Sequence, residues 1–171
     1  MSLTRKLLGP AVIATTLLGW SAAAHAVCIP ANFPANWLQQ QENAGGHTIA
    51  RHVDKTDQQL AQRLANDPNI QEASSYRTAM ANPQATITAG LASNRNAINN
   101  WAANAANGQR RAYDYIAAAD VGRVASRNPA APPPTLYANS CTFRAVLRAT
   151  GGGNCYLLTS YPTTPDAGDC P

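Results

Sequence analysis

The chain has 171 residues, with 13 lysines and arginines against 9 acids and a formal net charge of +4. That length suits one domain with a real core. Beyond the first 26 residues no stretch is apolar enough to span a membrane, and the modest positive charge hints at a polyanionic partner without demanding one.

At the start, Arg5 and Lys6 form a short positive n-region. Residues 7–20, LLGPAVIATTLLGW, form an apolar segment too short for a comfortable span. Ala24-His25-Ala26 then places small residues around a cleavage site. Residues 1–26 therefore read as a signal peptide cleaved near Ala26, and the expected location is secreted or periplasmic. Residues 27–44 read as a lead-in containing Pro and Gln with little periodicity, and residues 45–171 as the main domain. After the leader the one lysine is Lys55; every other basic residue is arginine, the side chain suited to forked phosphate contacts.

Gly45-Gly46 precede HTIARHV, where Ile49 and Val53 lie four apart, as in a short helix. A second helix is expected from Thr56, with Thr56 and Gln59 as a capping box, Asp57 in the first turn, Leu60 and Leu64 as the buried stripe and Asp67-Pro68 as the stop. Residues 84–106 read as one long helix, with Ile87, Leu91, Ile98 and Trp101 at helical spacing and Gly108 beyond its end. Tyr113 to Ile116 and Val121 to Val124 suggest a strand and a hairpin partner. NPAAPPP, residues 128–134, is an irregular connection. CTFRAVLRA and NCYLLTSYP, separated by Thr150 and three glycines, give a strong β-hairpin signal, ended by Pro162. Helices followed by strands point to an α+β domain with a small antiparallel sheet.

Cys28, Cys141, Cys155 and Cys170 read as two disulfides in an exported chain. No C-x-x-C spacing favours a metal. The hairpin sets Cys141 and Cys155 roughly 20 Å apart at about 3.3 Å per residue, beyond the roughly 7 Å between Cα atoms that a disulfide allows. Cys141–Cys170 with Cys28–Cys155 is the preferred pairing.

Two histidines, His47 and His52, lie close together in GGHTIARHVDKTDQQLAQRL. On a helix, five positions amount to roughly 140° of rotation, so they face different ways. They are neither a two-histidine acid/base pair on one face nor the i,i+4 pair of a zinc helix. Either one alone fits a functional role or a structural one. In LLTSYP, Thr159 and Tyr161 project from one face of a strand. A hairpin centred between Gly151 and Gly152 sets Arg144 opposite Thr159.

Together, GGHTIARHVDKTDQQLAQRL, ASSY at 73–76, the Ile98-Asn-Asn-Trp101 helix end and YLLTSYP resemble the bacterial RNase A-like domain. That domain forms the C-terminus of contact-dependent growth inhibition toxins and other exported polymorphic toxins. The resemblance runs from about Gly45 to Pro162. It implies a kidney-shaped α+β fold, with N-terminal helices packed on an antiparallel sheet that ends in a hairpin. It also implies metal-independent, cofactor-free RNA cleavage by the ribose 2′-hydroxyl, giving a 2′,3′-cyclic phosphate. The implied catalytic residues are His52, with His47 as competitor, Arg63, Thr159 and Tyr161. The histidine takes the 2′-hydroxyl proton. Arg63 offsets charge on the phosphorane. Thr159 and Tyr161 meet a base or the phosphate. Tyr161, Lys55 or water is available to protonate the 5′-oxygen, since the second histidine of vertebrate ribonucleases is missing. Lys55, Arg144 and Arg148 are candidate substrate contacts, joined by Arg110 and Arg111. An immunity protein is the implied partner besides RNA. The alternative is an exported binding protein that keeps the fold without the catalysis.

Overall fold

The computed structural model describes residues 27–128 and 135–170. The leader at 1–26 and most of the NPAAPPP connection lie outside the described residues. Eleven elements follow in the order α1 (Trp37–Asn43), α2 (Thr48–His52), α3 (Asp57–Asn66), β1 (Glu72–Tyr76), α4 (Pro83–Ser93), α5 (Arg95–Asn104), β2 (Arg110–Ile116), β3 (Gly122–Arg127), β4 (Thr135–Ser140), β5 (Thr142–Gly151) and β6 (Asn154–Pro162). The α+β class and the closing hairpin are as expected from sequence. The strands, however, divide into two antiparallel three-stranded sheets, β1-β3-β4 and β2-β5-β6.

Residues 28–44 are more than a lead-in. They contain α1, whose Trp37 and Leu38 are buried. The Leu38 amide donates to Gln84 Oε1 and the Ile29 amide to Asn99 Oδ1. Both partners come from distant helices, so nothing in the local sequence announces this ordering. The expected helix over 84–106 breaks at Asn94, which ends α4 and begins α5 with φ −109° and ψ 15°. Asparagine is a poor helix former, and the break lets Ile87 and Leu91 on one helix and Ile98 and Trp101 on the other pack into the same core.

β2 and β3 do not form a hairpin. β2 pairs with β5, and β3 lies between β1 and β4. Gly122 explains part of this division. A Cβ there would strike the Ser75 carbonyl oxygen and the Tyr76 backbone, so glycine is what lets β3 close on β1. The hairpin apex also differs from expectation. Gly151 pairs with Asn154, and a register shift follows between Val146 and Leu147. Arg144 consequently sits opposite Tyr161, and Val146 opposite Thr159.

One core joins Ile29, Trp37, Ile87, Leu91, Phe143, Leu147 and Leu157 between the helices and the β2-β5-β6 sheet. A second, smaller cluster holds Leu60 and Leu64 of α3 against Ala73 and Ala125. The disulfides are Cys28–Cys155 and Cys141–Cys170, the pairing preferred from the sequence, where the reach of the hairpin disfavours only Cys141–Cys155.

Candidate active site

The two sheets meet at a seam, and α2 lies along it. The Tyr76 hydroxyl on β1 and Ser160 Oγ on β6 are 2.7 Å apart, both buried. The Ser160 amide donates to Thr48 Oγ1 at 2.8 Å, and the His47 amide donates to the Leu158 carbonyl. These two bonds fix the start of α2 to the outer edge of β6. Five residues are too few for a self-sufficient helix, and His47 at its N-cap makes no side-chain cap. Glu42 supplies the cap from α1, accepting from the Ile49 and Ala50 amides at 3.0 and 2.9 Å. Gly46 permits this approach, because a Cβ there would meet the Leu157 and Gln41 carbonyl oxygens.

At the other end of α2, His52 is 5% exposed. Its Nδ1 is 3.0 Å from the Ser74 carbonyl oxygen on β1. A carbonyl only accepts, so Nδ1 carries the proton and Nε2 presents a lone pair. Burial is the main cause that lowers the His52 pKa to about 4; the bond to Ser74 opposes it, while Arg63, His47 and Arg51 add to it. The ring is therefore neutral at neutral pH. Its centroid lies 5.1 Å from that of Tyr161, tilted by 31°. Across the seam, the Thr159 hydroxyl is buried and has no hydrogen-bond partner among the described residues.

Arg63 sits in the last turn of α3, which starts with the expected capping box. Its Nη1 is buried without a hydrogen-bond partner among the described residues. Burial and Arg51 lower its pKa, while Asp67 and Tyr161 act the other way. His47 is half-buried and also lowered, first by burial and then by Arg51. Arg63 and Arg110 also lower it, and Glu42 opposes. Thus His47, His52, Arg63 and Tyr161 share one electrostatic environment, and Thr159 lies on the same face of β6 as Tyr161. The structure brings together the candidates drawn from both ends of the sequence.

The substrate-contact candidates divide. Lys55 joins Arg51 and Arg63 around an open depression of about 440 Å³. The Lys55 amide donates to Ser75 Oγ, and the preceding Asp54 adopts φ 50° while its carboxylate accepts from the Thr78 amide and hydroxyl. Backbone strain of this kind needs such external support. Arg148 pairs across strands with Arg110 and Tyr156 on the face that carries Thr159. Arg144 instead gives both prongs of its fork to Asp114, at 2.6 and 2.9 Å. Sequence reasoning missed Arg51, Glu42, Ser74 and Asp114. Only Arg51 had a local signal, one helical turn after His47.

Residues 46–162 match the sequence profile of the family described as "Bacterial CdiA-CT RNAse A domain". A solved structure, "Crystal structure of CdiA-CT/CdiI complex from Y. kristensenii 33638", is similar to this chain with a TM-score of 0.56 and 25% identity, over 70% of this chain and 100% of that one. No curated protein sequence matches. The matched span runs from the glycine before His47 to the last residue of β6, enclosing both halves of the seam; the chain belongs to the bacterial CdiA-CT RNAse A domain family.

Proposed function

We propose that this protein is an exported, metal-independent endoribonuclease that acts as a toxin against other bacteria. In this reading residues 1–26 are a signal peptide and an immunity protein blocks the cleft in the producing cell. Support for a toxin with such a partner comes from the toxin–immunity complex among similar structures. The two disulfides suit an oxidising compartment.

The observation that carries the ribonuclease reading is the fixed tautomer of His52 beside Tyr161 and Arg63. Nε2 takes the proton of the ribose 2′-hydroxyl, and that oxygen attacks the adjacent phosphorus. A neutral histidine is the form needed for this step. Arg63 offsets the charge that builds on the phosphorane, its Nη1, which has no partner among the described residues, donating to a phosphoryl oxygen. Thr159 has an unused hydroxyl for a base edge or a phosphate oxygen. As the phosphorus–5′-oxygen bond breaks, that oxygen needs a proton. The products are a 2′,3′-cyclic phosphate and a free 5′-hydroxyl.

The test is incubation of the purified, oxidised protein with total RNA in excess EDTA. Fragments with cyclic-phosphate ends are expected. Intact RNA would overturn the enzyme reading in favour of a binding protein with the same fold.

A further inference from the structure

Asp114 is the one acid in the three strands β2, β5 and β6. The registers place it opposite Arg144, and Arg144 opposite Tyr161. The three side chains therefore form a row on one face of the sheet. The Arg144 guanidinium donates from Nε to Asp114 Oδ1 at 2.6 Å and from Nη2 to Oδ2 at 2.9 Å. Glu72, Asp166 and Asp169 line one depression together with Asp114 and Arg144. Yet Glu72 accepts from Thr164, and Asp169 from the Asp166 amide. Asp114 alone takes the fork. The Arg144 hydrogen bond holds the Asp114 carboxyl below its ordinary value. Arg144 is raised chiefly by Asp114, and the Tyr161 phenol adds to its hold. On its other side Tyr161 meets the His52 ring and the field of Arg63.

We propose that Asp114 is a positioning residue for the cleavage reaction: it holds the Arg144 guanidinium against the Tyr161 phenol, and Tyr161 delivers its proton to the leaving 5′-oxygen. This rests on the ribonuclease reading above. In this step the phenol O–H bond breaks as a 5′-O–H bond forms and the phosphorus–oxygen bond opens. The negative charge left on the phenol oxygen sits beside a fixed cation. His52 has by then gained the 2′-hydroxyl proton, and passing it to Tyr161 through water restores both groups. A free arginine has many rotamers and would pair with the phosphates of bound RNA. The two-pronged hold by Asp114 keeps it on the phenol.

Two substrates separate proton donation from binding. One is a dinucleoside phosphate, whose 5′-alkoxide needs a proton to leave. The other is the matching nucleoside 3′-(4-nitrophenyl phosphate), whose phenolate leaves without one. Asp114→Asn and Arg144→Gln are expected to lower kcat on the dinucleoside phosphate by about ten- to a hundredfold, and to lower it clearly less on the aryl ester. Tyr161→Phe is expected to show the larger ratio between the two losses, and Asp114→Glu to recover part of the loss. The two ion-pair side chains are 43% and 63% exposed, so these variants are expected to fold, as thermal melts would verify. Equal losses on both substrates, or none on either, would overturn the proposal. Selective loss in Tyr161→Phe without it in Asp114→Asn would overturn the role of Asp114 while leaving the ribonuclease reading intact. Cleavage of neither substrate by the unmodified protein would overturn both.

Discussion

His52 Nδ1 lies 3.0 Å from the carbonyl oxygen of Ser74, so a residue of the shortest helix is anchored to a strand of the sheet that does not carry Thr159 or Tyr161. The anchor sets the tautomer, and the ring's other side is left to face β6. Catalytic competence in this reading depends on the seam between the sheets as much as on any single side chain.

Replacement of His52 by alanine is expected to reduce RNA cleavage about 10²- to 10⁴-fold, the usual contribution of a general base. His47→Ala, which removes a half-buried ring at the helix start, is expected to cost far less. Quantifying cyclic-phosphate ends for both variants decides the matter; an inactive His47→Ala with an active His52→Ala would make His47 the base.

Stability is expected to fall as solution is acidified from pH 7 to 4. The unfolded chain gains a proton on His52 around its ordinary value of 6.5, while the folded chain resists until about 4. Within that window the unfolded state binds more protons. The neutral-ring contribution is therefore complete above about 6.5 and lost as pH falls towards 4, amounting to at most about 3 kcal/mol. Denaturant titrations at several pH values check this, and His52→Gln is expected to flatten the dependence. A native protein equally stable at pH 7 and 5 would contradict the buried, neutral ring.

Arg63→Ala is expected to lower kcat about 10²- to 10³-fold, as loss of a preorganised donor to developing charge does. Arg63→Lys keeps the charge without the fork, so partial recovery is expected. The effect belongs in kcat; a change confined to KM would recast Arg63 as a ground-state contact.

Arg148→Ala and Arg110→Ala are expected to weaken binding of a non-cleavable 2′-O-methyl oligonucleotide. Each lost phosphate contact makes the dependence of log affinity on log salt shallower by about 0.7. Titrations at several salt concentrations measure this, and an unchanged slope would remove the pair from the RNA path.

Legibility in the sequence followed how local each cause is. The Thr56–Gln59 capping box and the Leu60/Leu64 stripe depend on residues a few positions apart, and both appear as read. The closing hairpin was visible in its alternating strands and glycines, but its register was not, since the shift after Val146 is a matter of pairing rather than composition. α1 and α2 owe their order to Gln84, Glu42 and Ser160, groups reached only after folding. The row Asp114–Arg144–Tyr161 needs two strand registers at once, so no motif in the chain could display it. His52, Arg63, Thr159 and Tyr161 stand out in the sequence because their flanking residues carry the family pattern, and the fold gathers them along the seam; Ser74, which acts through its backbone carbonyl, left no side-chain signature.

The Cys28–Cys155 bridge spans 127 positions. The loop it closes contains His52 and Arg63, while Thr159 and Tyr161 lie just outside, four and six residues beyond the knot on the same strand. A pull on the chain's described N-terminal end is thus delivered directly to β6 and bypasses the helices. The chain cannot pass as a single extended thread through a narrow opening while the bridge holds; such passage requires reduction first and reoxidation afterwards.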